Sequence, residues 1–309
     1  GYFATVMTDA AGKFAIGAIP LEANVKGDPI PAFKLKVIQG NFVDVVHNII
    51  IAQNQLIVKN VDLVNQNVPG NTLFTDGFET ESGWTFEGFF HRQANAQILN
   101  SNYTSQYVQL APNDNTNGYV PNAYAGMYAA WYGQESTGSF IGEASIGQSV
   151  GSGGTGMSSN MGHMMSPEIS LVGLSQASLS FWAWFEIEAV NPNESGFDIM
   201  EIYVHEVGGS EVSLGRLNPY SDPILDDRAA LPFTSGGFNK APVWLNVEYD
   251  LTPYVGKTIK LKFEFRTVDS LYNGFRGWLV DNVLVTDKAP LKAANTNKVY
   301  GPDPKPRTN

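Results

Sequence analysis

Alternating apolar and polar positions dominate this chain and predict strands rather than helices. Such alternation places every second side chain on one face of a sheet. Near the start, Phe33, Leu35 and Val37 alternate with lysines, and Val43–Ile51 and Leu56–Val64 follow as further strand-like runs. The clearest later strands are predicted at Ala177–Glu188, Asp198–Val207, Trp244–Leu251, Thr258–Val268 and Trp278–Thr286. The predicted fold class is therefore all-β.

A polar stretch containing Pro69-Gly70 interrupts the strand pattern and predicts two domains. We expect a small β-sandwich over residues 1–64, a linker over 65–71 and a larger sandwich over 72–288. Residues 289–309 contain several prolines and alternating charge, so we expect an extended tail unless a partner holds it.

The composition excludes several kinds of site and partner and indicates the compartment of the protein. The 309 residues include no cysteine, which excludes a disulfide framework, a thiolate nucleophile and a cysteine-based zinc site. The net charge of −11 disfavours nucleic acid as a partner. No apolar run reaches the roughly 18 residues of a membrane span. A charged fraction of 16 % with 12 % aromatics is typical of an exported, extracellular or cell-surface β protein. Because the chain begins at Gly1 without Met, we expect any export signal to have been removed.

Carboxylates inside two apolar runs, residues 75–84 and 277–285, are the main chemical signal. An ionised carboxylate is costly to bury unless it is paired or bound to a metal. If the first and last strands of one sheet lie side by side, Glu79 and Asp281 meet and require a cation. Oxygen ligands favour Ca²⁺. Alternatively, both are rim carboxylates that bond to backbone amides or pair with Arg276.

The predicted calcium ligands differ in rank. Asp76, Glu79 and Asp281 are the first-line ligands, and Glu186 and Asp198 are candidates for the same or a second site. The ion would have a structural role, joining the first strand to the last.

Two resemblances follow from these and other segments. Residues 8–16 and the run Val58–Leu63 resemble a carboxypeptidase-regulatory-like domain, a small sandwich found as a spacer in secreted proteins. The second part resembles the MAM-related jelly roll called choice-of-anchor J or cleaved adhesin. The segments that carry this resemblance are 76–79 with Trp84, 126–133, 166–171, 179–186, 251–258 and 277–285. It implies a non-catalytic, secreted or surface-bound sandwich, frequently calcium-bound, of the kind found in adhesins and in accessory regions of proteases.

The sequence offers little for catalysis. His205-Glu206 begins like a zinc-protease helix motif, but position 209 is Gly and the context is a strand. No serine lies in a nucleophile elbow. Residues 156–165 contain His163 and several methionines, a combination that suits Cu(I), but the favoured interpretation is a loop that leads into the strand at 166–171 with its methionines packed on the sandwich. We therefore expect no enzyme.

Aromatic residues in one Asn-rich stretch raise the alternative of a glycan site. Tyr128, Trp131 and Tyr132 are the candidates, because sugar rings stack on aromatic rings. The same alternation is expected of a core strand, and Trp182 and Trp184 are interpreted as core.

The first domain appears one strand short at its start when it is compared with the family it resembles. An unpaired edge needs covering, either by upstream sequence or by a strand from another subunit. Val299 and Tyr300 in the tail are the donor candidates. A chain boundary or a proteolytic cut is the alternative explanation.

Together these observations predict a non-enzymatic, calcium-stabilised surface or adhesion module. One version of this prediction is a structural subunit of a surface filament, in which neighbouring subunits are joined by strand donation. Its partners would be a surface or matrix protein, a second copy, or a glycan. The alternative is an accessory substrate- or glycan-binding region of a secreted protease or glycosidase.

Overall fold

The computed structural model divides the chain into two compact units, residues 1–69 and 70–309. It describes residues 32–37, 45–50, 70–188, 198–217 and 231–290. The division between the units falls inside the polar stretch 65–71.

The first unit has two described strands, β1 (Ala32–Val37) and β2 (Val45–Ile50). They pair antiparallel, with Phe33 opposite Ile49. Both coincide with predicted strands. The prediction that the small sandwich lacks a strand at its start and the predicted strand Leu56–Val64 both concern residues outside the described ranges.

The regular secondary structure described in the second unit is almost entirely β-strand. They are β3 (Thr72–Asp76), β4 (Thr85–Phe86), β5 (Phe90–Ala94), β6 (Tyr128–Tyr132), β7 (Met161–Met165), β8 (Ile169–Ser170), β9 (Ser178–Glu188), β10 (Ile199–Glu206), β11 (Glu211–Arg216), β12 (Pro232–Thr234), β13 (Gly237–Phe238), β14 (Leu245–Asp250), β15 (Thr258–Arg266) and β16 (Gly277–Thr286). Its helical elements are α1 (Ser101–Thr104) and a 3-10 turn at Thr252–Tyr254. Among the residues described, no helix is long and apolar enough to cross a membrane.

These strands form two antiparallel sheets. The six-stranded sheet has the order β11-β10-β15-β7-β4, with β8 also paired to β15. The eight-stranded sheet has the order β13-β12-β9-β16-β6-β5, with β14 also paired to β9 and β3 to β16. The predicted all-β fold with a large jelly-roll sandwich is confirmed for the described part of this unit.

The pairing of the first and last strands of the sandwich is also confirmed. In the antiparallel β3–β16 ladder, Asp76 lies opposite Val283 and Thr75 lies opposite Leu284. Strand β9 pairs with β16 along the same length, which places Trp182 opposite Asp281. The last strand, β16, is therefore central in its sheet, where it pairs with both the first strand of the sandwich, β3, and β9.

The main core lies between the two sheets and is rich in aromatic rings. Phe263 of β15 contacts Phe181 of β9 at 5.0 Å and Trp278 of β16 at 5.9 Å between ring centroids. Tyr132 of β6 stacks on Phe265 at 4.3 Å. Rings of this size bury much apolar area and account for most of the packing between the sheets.

The outer faces of the two sheets differ. On the eight-stranded sheet, a second apolar cluster is covered by residues 95–127, the connection from β5 to β6, which we call the covering segment. The buried members of that cluster are Val120, Ala129, Trp131, Trp184 and Leu279. The six-stranded sheet instead carries ion pairs on its outer face, among them Lys262–Glu264 and Arg266–Glu201. Surface ion pairs keep a sheet face soluble but add little stability.

The expectation of a loop over residues 156–165 is wrong at its end. Met161–Met165 is a strand that pairs with β15, with Met164 opposite Phe263. Neighbouring residues of a strand point to opposite faces, so His163 and the buried Met164 do not face one site. The adjacent Gly162 and His163 in the middle of the strand concealed the apolar pattern.

Candidate functional site

Asp281 lies on β16 beside a β-bulge. The pairing with β9 shifts between Asp281 and Leu284, and Asn282 has a left-handed φ of 47°. The buried Asp281 carboxylate accepts hydrogen bonds from the backbone N–H groups of Asn282 at 2.6 Å and Ala125 at 3.0 Å. Bulges redirect side chains, and this one presents the carboxylate to the covering segment.

Glu79 reaches the same segment from the turn after β3. Its carboxylate accepts hydrogen bonds from the backbone N–H groups of Met127 at 2.9 Å and Tyr128 at 3.0 Å. Phe78 beside it has a φ of 58°, a strained conformation for a bulky residue. Together Glu79 and Asp281 hold residues 125–128 against the first and last strands.

Burial is the main cost of ionising Asp281, and repulsion from Glu79 adds to it. Burial raises the pKa of Asp281 from its usual 3.8 to about 6, with bonds from backbone N–H groups opposing the rise and the charge of Glu79 adding to it. A cation between the two carboxylates would remove this penalty.

The surroundings fit a hard cation. A Cβ atom added at Gly77 would lie 2.9 Å from Oδ1 of Asn282 and 3.8 Å from Oδ1 of Asp281, so both oxygens face one small space. A Cβ atom at Gly126 would collide with the Glu79 carboxylate, and Gly126 has a φ of 72°. An ionised carboxylate has about four acceptor positions, so both acids retain capacity beyond their backbone bonds. The oxygens of Asp281 and Asn282 are hard donors of the kind that Ca²⁺ prefers, while the Glu79 carboxylate lies beside Gly126.

Asp76 has another role. It accepts hydrogen bonds from the backbone N–H of Phe78 at 2.7 Å, from Nε1 of Trp84 at 2.8 Å and from the Ser82 hydroxyl. These contacts fix the turn after β3 and seat Trp84 in the core. The structure assigns Asp76 to this turn and not to the Glu79–Asp281 pair.

Glu186 is also engaged elsewhere, which corrects its assignment as a calcium ligand. Its oxygens accept from Arg276 at 2.6 Å (Nε) and 2.9 Å (Nη2), and from the Tyr103 hydroxyl. Glu186 and Arg276 are both fully buried. Of the alternative roles of Glu79 and Asp281, bonding to backbone amides is observed, whereas pairing with Arg276 is wrong because Arg276 donates to Glu186.

The remaining donors of Arg276 anchor the covering segment. The guanidinium bonds to Asp114, to the Thr116 hydroxyl and, at 2.8 Å, to the carbonyl of Tyr119. Burial raises the pKa of Asp114, but the charge of Arg276 and the bonds from Thr116 outweigh it, so the pKa lies below its usual value. Both the Arg276 cluster and the Glu79–Asp281 pair therefore fix the covering segment to the sheet.

Asp198 lies immediately before β10 and is fully buried. Burial, together with the charge of Asp269, holds the pKa of its carboxyl well above the usual range. Among the residues described, no three Asp, Glu, His or Cys side chains gather in a metal-binding arrangement. Of the five predicted ligands, Glu79 and Asp281 both accept hydrogen bonds from the backbone of residues 125–128, and their role as calcium ligands stays a prediction.

The predicted glycan residues are mostly unavailable, which is a further correction. Trp131 and Tyr132 are fully buried, Trp131 under the covering segment and Tyr132 in the main core. Tyr128 lies under the guanidinium of Arg92, 3.3 Å from its ring centroid. Their alternation reflects core packing on both faces of β6.

A different aromatic group was not predicted from the sequence. Tyr124 of the covering segment stacks on Trp182 of β9, with ring centroids 3.8 Å apart. Nothing in the local pattern links residues so far apart in the chain, and the spacing of Trp182 and Trp184 on one face suggested core for both.

No family model and no curated protein matches the chain. Solved structures show distant likenesses. The K1 cleaved adhesin domain of Lys-gingipain from Porphyromonas gingivalis W83 is 14 % identical over 71 % of this chain and 99 % of that domain, with a TM-score of 0.36. The xylan-binding CBM22-1 domain of Paenibacillus barcinonensis Xyn10C is 12 % identical over 73 % of this chain and 97 % of that domain, with a TM-score of 0.31.

A third likeness is to the enzymatically active domain of tailspike protein 4 from bacteriophage CBA120. It is 11 % identical over 68 % of this chain and 20 % of that chain, with a TM-score of 0.27. Likenesses this weak carry no information on ligand or activity, and the fold rests on the strand pairing described above.

Proposed function

We propose that this chain is a calcium-stabilised, non-enzymatic adhesion module of an extracellular protein. One observation carries the proposal: Glu79 and Asp281, two acids brought together by adjacent strands, both hold residues 125–128. Their mutual repulsion gives a cation a place to bind, and the loop that they hold lies on the outer surface of the sandwich. Calcium would make that surface rigid.

Three histidines of the second unit lie beside structural partners. His163 lies 3.6 Å from Glu87 and His205 lies 3.8 Å from Glu211, each beside an acid on or near the six-stranded sheet. His91 contacts the Phe89 carbonyl and the Gln93 side chain at 3.0 Å. Each has a structural partner, and none adjoins the Glu79–Asp281 pair through these contacts.

Removal of calcium is expected to lower the melting temperature of the full chain. At a free Ca²⁺ concentration of 100 times the Kd, binding contributes about 2.7 kcal/mol to the free energy of unfolding. EDTA should remove this contribution, excess Ca²⁺ should restore it, and Glu79→Gln should make the chain insensitive to both. Differential scanning calorimetry measures each effect.

Glu81→Gln is the matched control, because Glu81 is an exposed acid two residues away from Glu79. It should keep the full calcium response. Equal melting temperatures of the wild type in EDTA and in Ca²⁺ would refute the stabilising role of calcium.

We also propose, independently of calcium, that copies of this chain assemble by strand donation. The donor candidates Val299 and Tyr300 lie outside the described residues. Head-to-tail donation does not close on itself and would form filaments, with prolines 302, 304 and 306 ending the donated strand.

Deletion of residues 289–309 tests strand donation. The intact chain is expected to sediment as assemblies in analytical ultracentrifugation, and the shortened chain as a monomer, because the donated strand has been removed. If the intact chain sediments as a monomer at every concentration, the donation hypothesis fails.

A further inference from the structure

Three aromatic side chains form a partly exposed group on the outer face of the eight-stranded sheet. We call Tyr124, Trp182 and Trp244 the aromatic platform. Tyr124 is 40 % exposed, and both tryptophans are half-buried. The platform adjoins the second apolar cluster, against which Trp244 packs.

The rings of the platform have a defined geometry. Tyr124 lies flat on Trp182, with an interplanar angle of 12° at 3.8 Å between centroids. Trp244 stands at 63° to Tyr124, with the centroids 5.9 Å apart. Stacking on Trp182 covers one face of the Tyr124 ring, and the exposed 40 % of Tyr124 leaves part of the ring open to a ligand. The result is a flat aromatic surface beside a steeply inclined ring.

Polar groups flank the platform in one row across the sheet. Asn246 on β14 and Asp281 on β16 each lie directly opposite Trp182 in the strand register. Side chains that lie opposite each other in neighbouring strands share one face and approach to about 5 Å. The exposed Asn246 amide therefore lies next to the aromatic rings. Its nitrogen donates to the Phe181 carbonyl at 3.4 Å, and its oxygen can accept from a ligand.

The platform is held in place before any ligand arrives. Ala125, the residue after Tyr124, donates to Asp281 at 3.0 Å, and Ala123, the residue before it, donates to the Asn95 side chain at 2.7 Å. Both neighbours of Tyr124 are thus anchored to fixed side chains. A pre-organised ring loses little conformational entropy on binding.

We propose that the aromatic platform binds a neutral carbohydrate, with a sugar ring stacked on the exposed part of the Tyr124 ring and its hydroxyls bonded to Asn246. An amphipathic ring with an apolar C–H face and a polar rim matches a flat aromatic surface next to an amide. The net charge of −11 and the nearby acids disfavour an anionic ligand. This inference deepens the proposed adhesion function by naming a ligand class and its residues, and it does not depend on calcium.

The test uses the full chain on a printed glycan array that covers plant, microbial and animal oligosaccharides. The strongest ligand is then titrated in solution while tryptophan fluorescence is followed. Tyr124→Ala and Trp244→Ala should each weaken binding about tenfold or more, equivalent to ~1.4 kcal/mol. Asn246→Ala should weaken it with little change in melting temperature, because its side chain is exposed.

Tyr203→Ala is the control, since Tyr203 is a tyrosine on the six-stranded sheet, and its hydroxyl donates to Glu201 at 2.7 Å on the opposite side of the sandwich. It should leave the affinity unchanged. The proposal is overturned if the wild type binds no array glycan, if it binds a polyproline peptide in preference to every glycan, or if platform variants that melt like the wild type keep full affinity. Calorimetry in EDTA and Ca²⁺ reports separately on the calcium proposal, so the two can fail independently.

Discussion

Arg276→Met is expected to lower the free energy of unfolding by about 3–5 kcal/mol, the typical cost of removing one partner from a buried ion pair. The substitution leaves the carboxylates of Glu186 and Asp114 without their cation, and both side chains are almost fully buried. For a domain of this size, the melting temperature should fall by roughly 6–20 °C. Thermal unfolding followed by circular dichroism measures the change.

Arg266→Met provides the matched control. Arg266 bonds to Glu201 and Glu264, but its side chain is 33 % exposed on the outer face of the other sheet. Its replacement should cost less than about 1 kcal/mol. Adding Glu186→Gln to Arg276→Met should recover part of the loss, because it removes one buried charge. If Arg276→Met is no more harmful than Arg266→Met, the cluster does not anchor the covering segment as described.

Without metal, stability is expected to fall as the pH rises from about 4 to about 6 because of Asp281. Its pKa is raised in the folded protein to about 6 from its usual 3.8. The folded state therefore binds this proton more tightly than the unfolded state does. The resulting stabilisation is complete below pH 4 and is lost as the pH passes through 6. The full change corresponds to about 3 kcal/mol.

Urea unfolding in EDTA at several pH values, for the wild type and Asp281→Asn, isolates this contribution. Other acids, including Asp198, titrate in both proteins, so the difference between the two curves reports Asp281. That difference should slope between pH 4 and 6 and be flat above 7. Parallel curves across the whole range would mean that Asp281 ionises normally in the fold. Saturating Ca²⁺ should abolish or reverse the slope, because a bound cation favours the ionised form.

Much of the fold follows from local pattern. Strand β9 was predicted at Ala177–Glu188 and observed at Ser178–Glu188, and β16 differs from its prediction by one residue. Both are rich in apolar residues, which form the runs 181–185 in β9 and 278–280 and 283–285 in β16. Strand β7 was missed because its pattern combines methionine, glycine and histidine, and only the pairing with β15 defines it.

The candidate site could be predicted only in part. The proximity of Glu79 and Asp281 follows from the pairing of the first and last strands, which the apolar runs indicated. The partner of Glu186 could not be found in this way, because Arg276 lies 90 residues away and sequence gives no preference among several acids. Likewise, Trp131 is buried only because the covering segment folds over it.

The aromatic platform also depends on contacts between residues far apart in the chain. Trp182 would be an ordinary outward residue of β9 if Tyr124 did not stack on it. Tyr124 is placed there by the hydrogen bond from its neighbour Ala125 to Asp281. The acids that define the calcium proposal thus also position the proposed sugar-binding ring, although stacking itself needs no metal.

Calcium binding to the EDTA-stripped full chain, followed by isothermal titration calorimetry at pH 7.5, tests the central claim most directly. The account predicts that the wild type and Glu81→Gln bind Ca²⁺ at a site which the double variant Glu79→Gln/Asp281→Asn lacks. Both variants should show the same circular dichroism spectrum as the wild type. A wild type that takes up no Ca²⁺, or a double variant that binds it as well as the wild type does, would contradict the account.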